Sequence, residues 1–103
     1  MISNLVSKRL SLGKEKYGHG VRARMDTKAW CDENSWMEMA EEEFGDALVY
    51  VAADYIRKHE ESSEPDDNKR ILELSLNPRA MSGEHAKIME TLTELIKLSR
   101  EAR

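Results

Sequence analysis

The chain has 103 residues, of which 40% are hydrophobic and 35% charged, with a formal net charge of −4. That suits one domain with one core and excludes a second. Two prolines and five glycines leave room for long helices, and no apolar run approaches the roughly 20 residues needed to cross a bilayer, so no membrane role is expected.

The lone Cys31 cannot make an internal disulfide, and MISNLVSKRL has no apolar signal-peptide region. A cytoplasmic protein is therefore expected. The charge is unevenly spread. Residues 1–28 hold seven Lys/Arg against two acids, residues 32–67 hold two against thirteen, and residues 68–103 hold seven against five. So acidic a middle argues against direct nucleic-acid binding. A small anion arriving with a divalent metal suits both halves, since the metal answers the acids and the basic segment answers the anion.

In chain order, residues 3–17 read as a first helix, with Ser3 as candidate N-cap and Leu5, Val6, Arg9, Leu10 and Leu12 near its inner side. Gly18 and Gly20 end it. Residues 18–34 show neither helical nor strand periodicity, a long loop for a compact domain. It gathers His19, Arg22, Arg24, Lys28 and Trp30, side chains that contact phosphates and stack on bases. A second helix is predicted from Ser35 to about His59. An acidic linker over 61–68 leads to a short helix over 68–76, capped by Asp67 or Asn68 and stopped by Asn77-Pro78. The last helix follows Ser82, with Ile88, Met89, Leu92, Leu95, Ile96 and Ser99 on one face. No strand pattern survives. The expected fold is a single all-α domain over 1–103, a small bundle of about four helices.

The second helix organises the rest. Met37, Ala40, Phe44, Leu48, Val51 and Tyr55 form an apolar stripe at spacings of three and four. Glu38, Glu42 and Asp46 stand beside it at i, i+4 and i+8, where like charges cost about 0.2–0.5 kcal/mol per neighbouring pair. Val49, Ala53 and Ile56 continue that side, so the column is expected to lead into a partly buried region. Hard oxygen donors on a rigid helix suit Mg²⁺ or Mn²⁺; a solvated acidic face explains them equally well. Ser35-x-x-Glu38 is also a capping box, which accounts for Glu38 but not for Asp46, two turns further on. Glu43 and Asp46 form an i, i+3 pair able to chelate one cation. Glu41 reads as solubilising, and Asp54 as a partner of Arg57 or Lys58. Tyr17-Gly18-His19 reads equally as a glycine-ended helix, Trp30 and Trp36 as core anchors, and the methionines as core filler. Cys31 has no partner at zinc spacing.

The run Glu42-Glu43-Phe44-Gly45-Asp46-Ala47-Leu48-Val49-Tyr50 resembles the E-E-L-x-D-x-x-x-Y segment of MazG-like all-α nucleotide pyrophosphohydrolases. Lys16-Tyr17-Gly18-His19-Gly20-Val21-Arg22, Asp26-Thr27, Trp30 and the helix from Ser35 to Arg57 are similar to the small bacteriophage members. The resemblance covers roughly residues 14–58. The family usually presents E-E-x-x-E and E-x-x-D on successive helices, whereas here Glu38 to Asp46 leave no room for an intervening turn. The resemblance implies Mg²⁺-dependent hydrolysis of (deoxy)nucleoside triphosphates to monophosphate and pyrophosphate. It implies Glu38, Glu42, Glu43 and Asp46 as metal ligands, Glu38 or Glu42 as the base that activates water, and Lys16, Tyr17, His19, Arg22, Arg24 and Trp30 around the substrate. It also implies a homodimer or homotetramer, in the host cytoplasm if phage-encoded. The alternative is a non-catalytic helical binding or regulatory protein on the same scaffold, holding a nucleotide or a host protein.

Overall fold

A computed structural model of the chain describes residues 1–24, 35–61 and 65–102. It is all-α: α1 (Ile2–Tyr17), α2 (Ser35–His59), α3 (Asn68–Leu76), a 3-10 turn (Pro78–Ala80) and α4 (Gly83–Glu101). The chain divides into two compact units, Met1–Ser35 and Trp36–Arg103.

In the first unit, α1 starts one residue earlier than expected. Met1, not Ser3, is its N-cap, with no side-chain hydrogen bond; the Met1 carbonyl accepts the Leu5 amide at 3.1 Å. Gly18 closes the helix at φ 80°, a left-handed conformation that costs glycine least, and its amide donates to the Lys14 carbonyl. Lys14 and Lys16 in the last turn complement the helix dipole. α1 buries none of its residues. Leu5, Val6, Leu10 and Leu12, expected on an inner side, are all exposed, because among the described residues of its unit α1 has no second layer to pack on.

The second unit is built on α2, whose bounds match the sequence expectation. Its apolar stripe faces α3, the 3-10 turn and α4 across a core of Ala52, Tyr55, Ile56, Leu74, Met81 and Met89, with Leu48, Val51, Ile71 and Ala86 packed around it. Leu74 and Met89 are wholly buried, each contributing about 1.5–3 kcal/mol by removal from water. Asp67 is the N-cap of α3, as one of the two expected residues, with no side-chain cap hydrogen bond; its carbonyl accepts the Ile71 amide at 2.8 Å. The Asp66 carboxylate, one residue upstream, accepts the Asn68 amide at 3.0 Å. Pro78 opens the 3-10 turn, where its missing N–H costs nothing. On α4, Met89 and Ser99 are buried as expected, but Ile88 is 46% exposed and Leu95 37% exposed. The buried side is rotated towards His85 and Ala86, which leaves those two on its flank.

Arg70 ties α3 to the end of α2. Its Nε and Nη2 each donate to a Glu60 oxygen at 2.8 Å, and Nη1 reaches Glu73 at 3.2 Å. This fork holds the Glu60 carboxyl below its ordinary range and raises the Arg70 guanidinium further.

Candidate functional site

α2 presents its six carboxylates to two different surroundings. Glu41 falls on the core side, only 12% exposed. Its Oε1 lies 2.9 Å from the Ser99 hydroxyl and 3.6 Å from Arg100 Nε. Ser99, itself buried, shares its proton with the Ile96 carbonyl at 2.8 Å. Glu41 therefore fastens α2 to α4, where a solubilising role was expected. The signal was present: Glu41 is four residues after Met37 and three before Phe44, squarely within the apolar stripe.

Asp54 is the second engaged acid. Lys58 Nζ sits 2.9 Å from its Oδ2, as the i, i+4 spacing predicted, and His85 Nε2 of α4 lies 2.7 Å from the same oxygen. The hydrogen bonds from His85 and then Lys58 hold the Asp54 carboxyl below its ordinary range. No local pattern announces His85, 31 residues away in sequence.

The other four differ. Glu38 is half-buried, while Glu42, Glu43 and Asp46 are exposed. Among the described residues none of the four has a hydrogen bond or ion pair. The column does not run into a buried region as expected. Of the residues continuing that side only Ile56 is buried, while Val49 is 44% exposed and Ala53 is also exposed. The core side of α2 is centred on Leu48 and Tyr55, and the column stands on its edge. Trp36 and Met39, each 38% exposed, lie outside the core as well. Of the methionine filler, Met81 and Met89 are buried and Met37 half-buried.

The first unit carries the basic candidates. Lys16 and Tyr17 end α1, with Lys16 Nζ 5.3 Å from the Tyr17 ring centre, a cation–π distance. His19 Nδ1 donates to the Gly20 carbonyl at 2.6 Å, and Arg22 Nη2 donates to His19 Nε2 at 3.0 Å. These contacts select the neutral tautomer with its proton on Nδ1. Arg24 is exposed in the same turn. Met25, Trp30, Cys31 and the Ser35 end of the capping box lie outside the described residues and side chains.

Neighbours in the acidic column are separated by about 6 Å along the helix, so a cation with about 2.0–2.1 Å bonds can join two of them but not all three. Among the described residues, no three His, Cys, Asp or Glu side chains converge to hold a metal. Mg²⁺ is commonly held by one or two carboxylates, with waters and substrate phosphates filling the remaining positions. The donor type and pairing on α2 thus fit a hard cation that arrives with a phosphate ligand, and do not fit an all-protein cage. No family model, curated protein or solved structure matches the chain.

Proposed function

We propose that the protein hydrolyses (deoxy)nucleoside triphosphates to monophosphate and pyrophosphate with Mg²⁺, for which Mn²⁺ substitutes. The observation that supports this is the split on α2. Both acids facing α4 are engaged by it, whereas Glu38, Glu42, Glu43 and Asp46 are joined by no described partner and stand at chelating intervals. The resemblance of 42–50 to the MazG-like segment gives that split its chemical sense.

In this reading Glu43 and Asp46 would hold one cation and Glu38 with Glu42 would hold a second, or one of these two would stay outside coordination. A divalent ion bound there supplies charge neutralisation for the triphosphate and a more acidic water. The free carboxylate of Glu38 or Glu42 takes the proton of the attacking water. The MazG-like resemblance further assigns Lys16, Arg22 and Arg24 to the phosphate tail and Tyr17, His19 and Trp30 to the rest of the substrate. A chain this short offers few walls for a nucleotide, so the working form is a homodimer or homotetramer.

The test is to incubate the protein with each common NTP and dNTP plus Mg²⁺ or Mn²⁺, following monophosphate and pyrophosphate release. Asp46→Asn should lose about a hundredfold or more in turnover, the scale of removing one group that stabilises transition-state charge. If neither metal supports cleavage of any triphosphate, the catalytic reading is wrong and the binding-protein alternative stands.

A further inference from the structure

The last turn of α2 and the first turn of α4 meet in a cluster that the proposed hydrolysis does not use. His85 Nε2 lies 2.7 Å from Asp54 Oδ2, and the His85 side chain is only 18% exposed. Two further rings pack against His85. Tyr55, in the core, meets His85 edge-on with centroids 5.5 Å apart, and His59 meets His85 at 5.8 Å and 86°. Tyr55 and His59 are 4.8 Å apart. We propose that the Asp54–His85 hydrogen bond is a pH-responsive clasp between the end of α2 and the start of α4, tightening when His85 gains a proton.

Neutral His85 donates an ordinary hydrogen bond to the Asp54 carboxylate; protonated, it donates a charge-assisted one, and 2.7 Å is at the short end of that range. Histidine is the side chain whose ordinary titration lies between pH 5 and 8. His85 is the third residue of α4, the end of the helix where the dipole opposes a cation, and the Asp54 carboxylate is the charge that faces it there. The surrounding charges are few. From α2, Lys58 shares the same Asp54 oxygen at 2.9 Å, and His59 faces the ring. On α4 itself, Glu84 and Lys87 pair with each other at 3.6 Å. On α3, Arg70 is engaged by Glu60 and Glu73.

The sign follows. Asp54 is held charged below the ordinary carboxylate range, so the clasp tightens as pH falls from neutral and is lost only when falling pH protonates Asp54 itself.

A double-mutant cycle of His85→Gln and Asp54→Asn, run on the full chain by urea unfolding at about pH 8 and about pH 5.5, reads the coupling directly. The coupling should be roughly threefold larger, as a ratio of unfolding constants, at the lower pH. Equal coupling at both, or weaker coupling at the lower pH, overturns the proposal. His59→Gln provides a second, exposed variant: the pH dependence of the Asp54–His85 coupling should persist or grow, because a competing imidazole is gone. If it vanishes instead, the proton belongs to His59 and the clasp as described is wrong. Amide-exchange protection over residues 84–87 should rise towards the lower pH relative to residues 96–99, and a uniform change along α4 would also count against it.

Discussion

Two sets of carboxylates on α2 make opposite use of the same chemistry. Glu41, on the core side, and Asp54, half-buried on its flank, reach α4 and are satisfied by Ser99 and His85. Glu38, Glu42, Glu43 and Asp46 gather like charges with no described counter-charge. A carboxylate that joins two helices stabilises the fold. A carboxylate that repels its neighbour is tolerated at some cost to stability, and such a cost marks positions kept for something other than folding.

The largest effect sets the scale. Leu74→Ala empties a wholly buried site at the centre of the second unit and should cost about 2–5 kcal/mol. Val49→Ala, on the exposed continuation of the acidic side, should stay within about 0.5 kcal/mol. Urea midpoints of the two variants measure the difference. A large loss at Val49 would show that this side of α2 is covered in solution.

Glu41→Ala comes next. It removes a nearly buried acceptor, but the Ser99 hydroxyl keeps the Ile96 carbonyl, so about 1–2 kcal/mol is expected rather than the full penalty of an orphaned group. Glu41→Gln should recover most of it, since an amide oxygen can take the same hydrogen bond. A Glu41→Ala variant as stable as the parent would remove Glu41 from the core side of the comparison.

Acid separates the sets in another way. Glu60 and Asp54 have carboxyls held below their ordinary range, Glu60 by Arg70 and Asp54 by His85 and Lys58. A lowered folded value means the unfolded chain binds protons first. Their stabilisation is complete above the ordinary carboxylate titration and is lost as pH falls through the lowered one. The gap in melting temperature between the parent and Arg70→Met should therefore be widest near neutrality and close in acid. A gap independent of pH would assign Arg70 a packing role only.

Much of this was legible in the sequence, for reasons tied to particular residues. Periodicity placed α2 at Ser35–His59 and its stripe against the core, because apolar spacing sustained over about five turns is a strong signal. Helix geometry narrowed the partner of Asp54 to Arg57 or Lys58, and the structure selects Lys58. Periodicity missed His85 on Asp54 and Ser99 on Glu41, since nothing local specifies which helix returns to which. It also placed Ile88 and Leu95 inward, because helical spacing identifies a stripe without fixing which edge of that stripe faces the neighbour. The acidic column was fully legible as a pattern. Its separation from every described counter-charge was not, because pairing depends on the other helices.

The smallest effect is the most diagnostic. Glu42→Gln removes one like-charge neighbour from the Glu38–Glu42–Asp46 column, and without added metal it should raise stability by about 0.2–0.5 kcal/mol per relieved pair. A purely solvated acidic face predicts the same gain with or without Mg²⁺ or Mn²⁺. A cation-binding column predicts a reversal. Saturating Mn²⁺ should raise the melting temperature of the parent, because a ligand that binds only the folded state stabilises it in proportion to its occupancy. Glu42→Gln should respond less, so that the order of the two proteins inverts. Inversion assigns the column to metal, and parallel curves assign it to solvent.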